Sequence, residues 1–146
     1  MKTVTFCGHS SLTEEEKRFI EERLYVEIEK LISNGAEEFL VGNYGQFDML
    51  CARVVGELRK KYPQIKSVLV IPCLNRERDA ELYDIVEYAP LETVPKRFCI
   101  LKRNEYVVKK ADIVVAYVKR EWGGAAKTLE FAKRKKKVVL ELGMTI

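Results

Sequence analysis

Along the chain, apolar positions recur with two different periods, and the switches between them mark short strands and longer helices. Thr3–Cys7 (TVTFC) reads as a strand. Thr13 with Glu16 three residues on is the capping-box pattern that opens a helix. Ile20, Leu24, Ile28, Leu31 and Ile32 then recur at helical spacing, and Asn34-Gly35 supplies a stop. Phe39–Gly42 predicts a second strand. A second helix follows, with Phe47, Leu50, Cys51, Val54, Val55 and Leu58 on one face and Tyr62-Pro63 at its end. SVLVIP at 67–72 is an apolar run suited to a strand buried on both faces.

Residues 73–100 break this rhythm. They carry Pro90, Pro95 and three charged clusters, and they predict an insertion over the sheet in the position of a lid, with a candidate extra strand near Tyr83–Tyr88. A short helix over Leu101–Lys110 restores the pattern. It leads to a strand at 112–118 (DIVVAYV), a glycine turn, a helix to about Lys136 and a last strand at 138–142.

Strands and helices alternating at these lengths imply right-handed βαβ crossovers, hence a parallel sheet with helices on both faces. The expected fold is α/β: a Rossmann-like three-layer α/β/α sandwich with a five-stranded parallel sheet in the order 3-2-1-4-5. The first and fourth strands are then neighbours where the winding direction reverses, the place where such sheets bind ligands.

A chain of 146 residues predicts one domain over 1–146, large enough to bury a core without a metal or disulfide staple. With 47% apolar and 33% charged residues it has the composition of a globular protein, and no apolar run reaches a membrane span. No signal-peptide core follows the N-terminus, so a cytoplasmic setting is expected. Cys7, Cys51, Cys73 and Cys99 form no CxxC pair and are expected to be reduced and mostly buried; with His9 as the one histidine, neither metal nor cofactor is expected. The net charge of +4 is modest, and the basic run KRKKK at 133–137 reads as a solvated helix end complementing the dipole.

Candidate chemistry lies in three glycine turns, each following a strand: Cys7-Gly8-His9-Ser10, Gly42-Asn43-Tyr44-Gly45 and Trp122-Gly123-Gly124. In a parallel sheet all three rise on one edge. Glycines there let an anion approach the free N–H groups of a helix start, which predicts a phosphate- or nucleotide-sized site. His9 would contact a phosphate or cap the first helix. Tyr44 offers a face for a base, and Trp122 would serve as such a face or as an anchor. Asp48 sits in the first turn of the second helix. Arg103 and Asn104 lie on the short helix before the fourth strand, and an arginine fork suits phosphate. Thr128 and Glu130 follow the last glycine pair, and a glutamate could orient a ribose or shuttle a proton. Cys7 has no second histidine to serve as its base and is a poor nucleophile.

The stretch KRNEYVVKKADIVVAYVKREWGGAAKTLEFAKRKKKVV resembles the SLOG superfamily, the Rossmann-like group containing the SMF/DprA proteins and the Lonely-Guy phosphoribohydrolases. TVTFCGHS and FLVGNYGQFDMLCARVVGELRKKYP are similar to its small single-domain bacterial branch, the YpsA-like proteins. The resemblance implies binding of a nucleotide or nucleotide derivative. It matches Arg103 to the family's arginine, Gly123 and Gly124 to its paired glycines, and Thr128 and Glu130 to its threonine and glutamate. Trp122 replaces the proline before the glycines, and Ser10 stands where many relatives carry arginine. The expectation is therefore a sensor or regulatory binding module. The alternative is an N-glycosidase cleaving nucleoside monophosphates, with Arg103 on the phosphate and Glu130 on the ribose. A DNA-processing role and a nucleic-acid partner are not expected, whereas a homo-oligomer is, because Met49 and Val54 lie off the main stripe of the second helix.

Overall fold

The computed structural model describes residues 2–72, 83–91 and 93–143. Six strands, β1 (Lys2–Gly8), β2 (Ala36–Val41), β3 (Lys66–Ile71), β4 (Ile85–Tyr88), β5 (Ile113–Tyr117) and β6 (Val138–Glu141), form one parallel sheet in the order β4-β3-β2-β1-β5-β6. Four α-helices accompany it: α1 (Glu14–Ser33), α2 (Gly45–Lys61), α3 (Cys99–Lys110) and α4 (Gly124–Arg134).

The expected sheet of five strands is corrected to six. The added strand is β4, the candidate near Tyr83–Tyr88, and it extends the sheet beyond β3 instead of lying over it. Short length hides it from periodicity. Tertiary bonds secure it: Ser67 N–H donates to Asp84 Oδ2 at 2.8 Å, and Arg59 pairs with Asp84 at 2.9 Å. Residues 73–82 of the expected insertion, with Cys73, lie outside the described residues. The rest of that segment runs through a 3-10 turn at Lys96–Phe98 straight into α3.

Elsewhere the amphipathic stripes dictate the packing. Ile20, Leu24, Ile28 and Ile32 of α1 join Phe47, Leu50, Cys51, Val54, Val55 and Leu58 of α2 in the larger core, against Val4, Phe39 and Leu69 of the sheet. Val54 therefore belongs to the core, not to a second apolar face, and Met49 is the exposed one at 44%. On the opposite face Val108 of α3 and Leu129, Phe131 and Ala132 of α4 pack on Val114 and Ala116 of β5. Thr13 and Glu16 form the predicted capping box on α1. Cys7, Cys51 and Cys99 are buried free thiols. Among the described residues no helix is long and apolar enough to cross a membrane.

Candidate functional site

The helices change sheet face between β1 and β5, and a cleft of about 440 Å³ opens there at the carboxyl ends of the strands. Gly8, His9 and Ser10 enter it from β1, Asn43, Tyr44 and Gly45 from β2, and Arg120 and Gly124 from β5. Asp48, Asn104 and Thr128 contribute from α2, α3 and α4. The three glycine turns do converge, but they do different jobs.

The turns after β1 and β2 are closed on each other. A Cβ at Gly8 would lie 2.4 Å from the Phe47 ring, and one at Gly45, whose φ is +87°, would lie 2.5 Å from Ser10 Cα. Both glycines line the cleft, yet packing already requires them. Gln46 N–H donates to Ser10 O at 2.9 Å and Phe47 N–H to His9 O at 3.4 Å, so the first-turn amides of α2 are occupied. Thr13 caps α1, which removes the helix cap from the two roles expected of His9. His9 is buried instead against the chain after β5, where its Nε2 accepts the Lys119 N–H at 2.9 Å.

The turn after β5 is different. Gly123 takes φ +95° as N-cap of α4, and no side chain caps this helix. A Cβ at either Gly123 or Gly124 would meet no protein atom within 4 Å. Glycine at 123 answers a backbone demand, whereas Gly124 keeps open the space over the first helical turn. Helix starts in this condition attract anions through their free N–H groups and the dipole. Thr128, one turn on, donates its hydroxyl to Gly124 O at 2.9 Å and keeps its oxygen's acceptor capacity.

At the floor of the cleft lie two neighbouring charged groups, the buried Arg103 and the partly buried Asp48. Arg103 donates from Nε to Val70 O at 2.9 Å, from Nη2 to Val41 O at 3.0 Å and from Nη1 to Asn104 Oδ1 at 3.1 Å. It thus caps the ends of β2 and β3 and does not line the cleft, which corrects its expected place on a phosphate. Asn104, oriented by that bond, does line it. A Cβ at Gly42 would sit 2.8 Å from Asp48 Oδ2 and 2.9 Å from Arg103 Nη2, so glycine makes room for the pair. Burial pushes the Asp48 carboxyl up to about 6, against the pull of Arg103 and of the Tyr44 N–H, which donates to Asp48 Oδ2 at 3.3 Å. Burial foremost, with Asp48 and Glu141, raises the neighbouring Cys7 thiol to about 12, so it stays protonated.

Two expected residues stand apart. Glu130 is exposed on the flank of α4 facing Val118 and Lys133, because two helical residues beyond Thr128 the side chain points away from the cleft. The glycosidase alternative therefore loses its assigned carboxylate, and Asp48 is the one acidic residue lining the cleft among the described residues. Trp122 is 68% exposed outside the cleft, with the Arg120 guanidinium 4.6 Å from its ring, so it is no buried anchor. Arg120 itself escaped the sequence reading. Its signal was position: a cation just after a switch-point strand and two residues before the only tryptophan.

This geometry, an open cleft at the switch point of a parallel sheet, defines the chain as a Rossmann-like α/β domain. No family model matches it. The UPF0398 protein BH1768 of Halalkalibacterium halodurans is 26% identical over 155 residues, covering 92% of this chain and 82% of that protein. DNA processing protein A of Helicobacter pylori, which has a single-stranded DNA binding mode, shares the fold with a TM-score of 0.68 at 16% identity, over 99% of this chain and 66% of its own. DNA processing protein A of Streptococcus pneumoniae does so with a TM-score of 0.70 at 16% identity, over 99% of this chain and 51% of its own. The chain thus spans between half and two thirds of those two structures, and the likeness to them is one of fold. The chain therefore shares its fold with those proteins and is similar in sequence to the relative from H. halodurans, as the resemblance to the SLOG superfamily leads one to expect.

Proposed function

We propose that the cleft binds a nucleotide or nucleotide derivative and that the protein acts as a sensor or regulatory module. One observation carries the reading: the start of α2 is closed by backbone carbonyls, while the start of α4 is uncapped and unobstructed at Gly124. A phosphate fits there, and Asp48 and Asn104 offer an acceptor and an amide across the cleft for ribose or base. The N-glycosidase alternative would now have to rely on Asp48, because Glu130 faces elsewhere.

A second reading, single-stranded DNA binding, is favoured by the fold shared with DNA processing protein A and by the exposed Trp122 with Arg120 stacked on it. The basic end of α4, where Arg134 and Lys135 lie over Phe131, is ten residues from Gly124, roughly 15 Å along the helix, and does not continue this surface. The reading also includes a homo-oligomer through the α2 face bearing Met49, checked by sedimentation at micromolar concentration.

The deciding experiment is a thermal-shift screen over nucleoside mono- and diphosphates, cyclic nucleotides, ADP-ribose and a short oligothymidylate. A ligand at a hundredfold excess over Kd stabilises by ~2.7 kcal/mol. At this chain length that raises Tm by roughly 5–10 °C. A shift from mononucleotides supports the first reading. One from the oligonucleotide alone supports the second, and free base in the chromatogram supports the enzyme.

A further inference from the structure

Arg120 is a cation whose donors are not spent. It is exposed on the cleft wall, and among the described residues its contacts are the Trp122 ring and His9 Nδ1, the latter 3.1 Å from Nη2. Of the carboxylates near this turn, Glu16 is held by the Thr13 N–H, the Tyr117 hydroxyl and the Lys119 ammonium, and among the described residues neither it nor the adjacent Glu121 forms an ion pair with Arg120.

The His9 contact does not satisfy Arg120. Nε2 of His9 accepts the Lys119 N–H, which the backbone holds in place, so in the neutral ring the proton sits on Nδ1. That proton faces a guanidinium, which has donors and no acceptor. Burial, with Arg120 and Lys119 nearby and against the pull of Glu16, keeps the ring neutral by lowering its pKa. Donor therefore faces donor, and the Arg120 side chain gains by turning away. Stacking on Trp122 occupies the face of the guanidinium and leaves its N–H edge free. Ser10 and Gly124 border the same space and bring no negative charge to it.

We propose that Arg120 is the anion-binding arm of the cleft: its N–H edge grips a phosphate group of the ligand while Trp122 holds its plane. The anion follows from the contacts of Arg120, and the nucleoside attached to it rests on the reading in the preceding section.

The test is isothermal titration of wild type, Arg120→Ala and Arg120→Lys with inorganic pyrophosphate, with AMP, GMP, CMP and UMP, and with the matching uncharged nucleosides. Arg120 is exposed, so both variants should melt with wild type. Arg120→Ala is expected to weaken pyrophosphate and nucleotide binding roughly tenfold to hundredfold, with nucleoside affinity unchanged. Arg120→Lys should recover part of the loss, since it restores the charge but not the fork. If pyrophosphate binds wild type, fails with Arg120→Ala, and no nucleotide binds more tightly than it, the anion arm stands and the nucleotide reading falls. If nucleotides bind wild type and Arg120→Ala equally, the anion arm falls and the nucleotide reading stands. An equal loss for nucleotide and nucleoside overturns the arm as well. A wild type that takes up neither pyrophosphate nor any nucleotide overturns both.

Discussion

Replacing Asp48 by Asn should remove a pH dependence built into the floor of the cleft. The folded carboxyl titrates near 6 against an ordinary value of 3.8, because burial outweighs the help of Arg103 and the Tyr44 N–H; the adjoining thiols, Cys7 and Cys51, stay neutral. A raised carboxyl pKa means that the folded protein holds the proton more tightly than the unfolded chain. Its contribution is therefore favourable below about pH 4 and is lost as pH rises through 6. A shift of about two units corresponds to about 3 kcal/mol. Asn has no such limb. Whatever constant cost comes from leaving Arg103 without its anion, the stability of Asp48→Asn minus that of wild type should rise by about 3 kcal/mol between pH 4 and pH 7. Urea unfolding at half-unit pH steps measures this difference, and in melting it should appear as roughly 6–12 °C. A difference that stays flat across that range would show that Asp48 is not desolvated and that the cleft floor is wetter than the geometry implies.

Glu16→Gln should have the opposite pH signature. Burial would raise Glu16, but the Thr13 N–H, the Tyr117 hydroxyl and Lys119 hold it at about 2, so its stabilisation is present above pH 4.5 and fades as pH falls toward 2. The variant should be less stable by about 1–2 kcal/mol at pH 7 after allowing for solvent screening, with the gap closing in acid melts. Gly42→Ala places a methyl within 3 Å of both Asp48 and Arg103 and should cost about 1–3 kcal/mol in urea unfolding, unlike Gly56→Ala, where nothing lies within 4 Å.

Most of the fold was legible because helical and strand periods coincide with burial. The six apolar residues predicted for one face of α2 are all in the core, and Thr13 with Glu16 caps α1 as their spacing implied. β4 was harder to read because four residues at a sheet edge carry little periodicity, and its pairing depends on Asp84, Arg59 and Ser67, which are remote in sequence. At the site, the sequence located the glycine turns but not their division of labour. Whether a glycine clears space for a ligand or for Phe47 and Ser10 depends on what packs above it. Arg103 showed the same limit: a fork suited to phosphate was placed correctly in the chain, yet its donors close off strand-end carbonyls.

Gly124→Val asks whether the open start of α4 holds the phosphate of a nucleotide-type ligand. The added side chain enters space empty of protein within 4 Å at the first Cβ, so the variant should fold and melt with wild type. Isothermal titration with the best nucleotide from the screen should give a clear Kd for wild type and at least a hundredfold weaker binding for Gly124→Val, because the valine occupies the phosphate position. A folded variant that binds the same nucleotide with unchanged affinity would contradict the account.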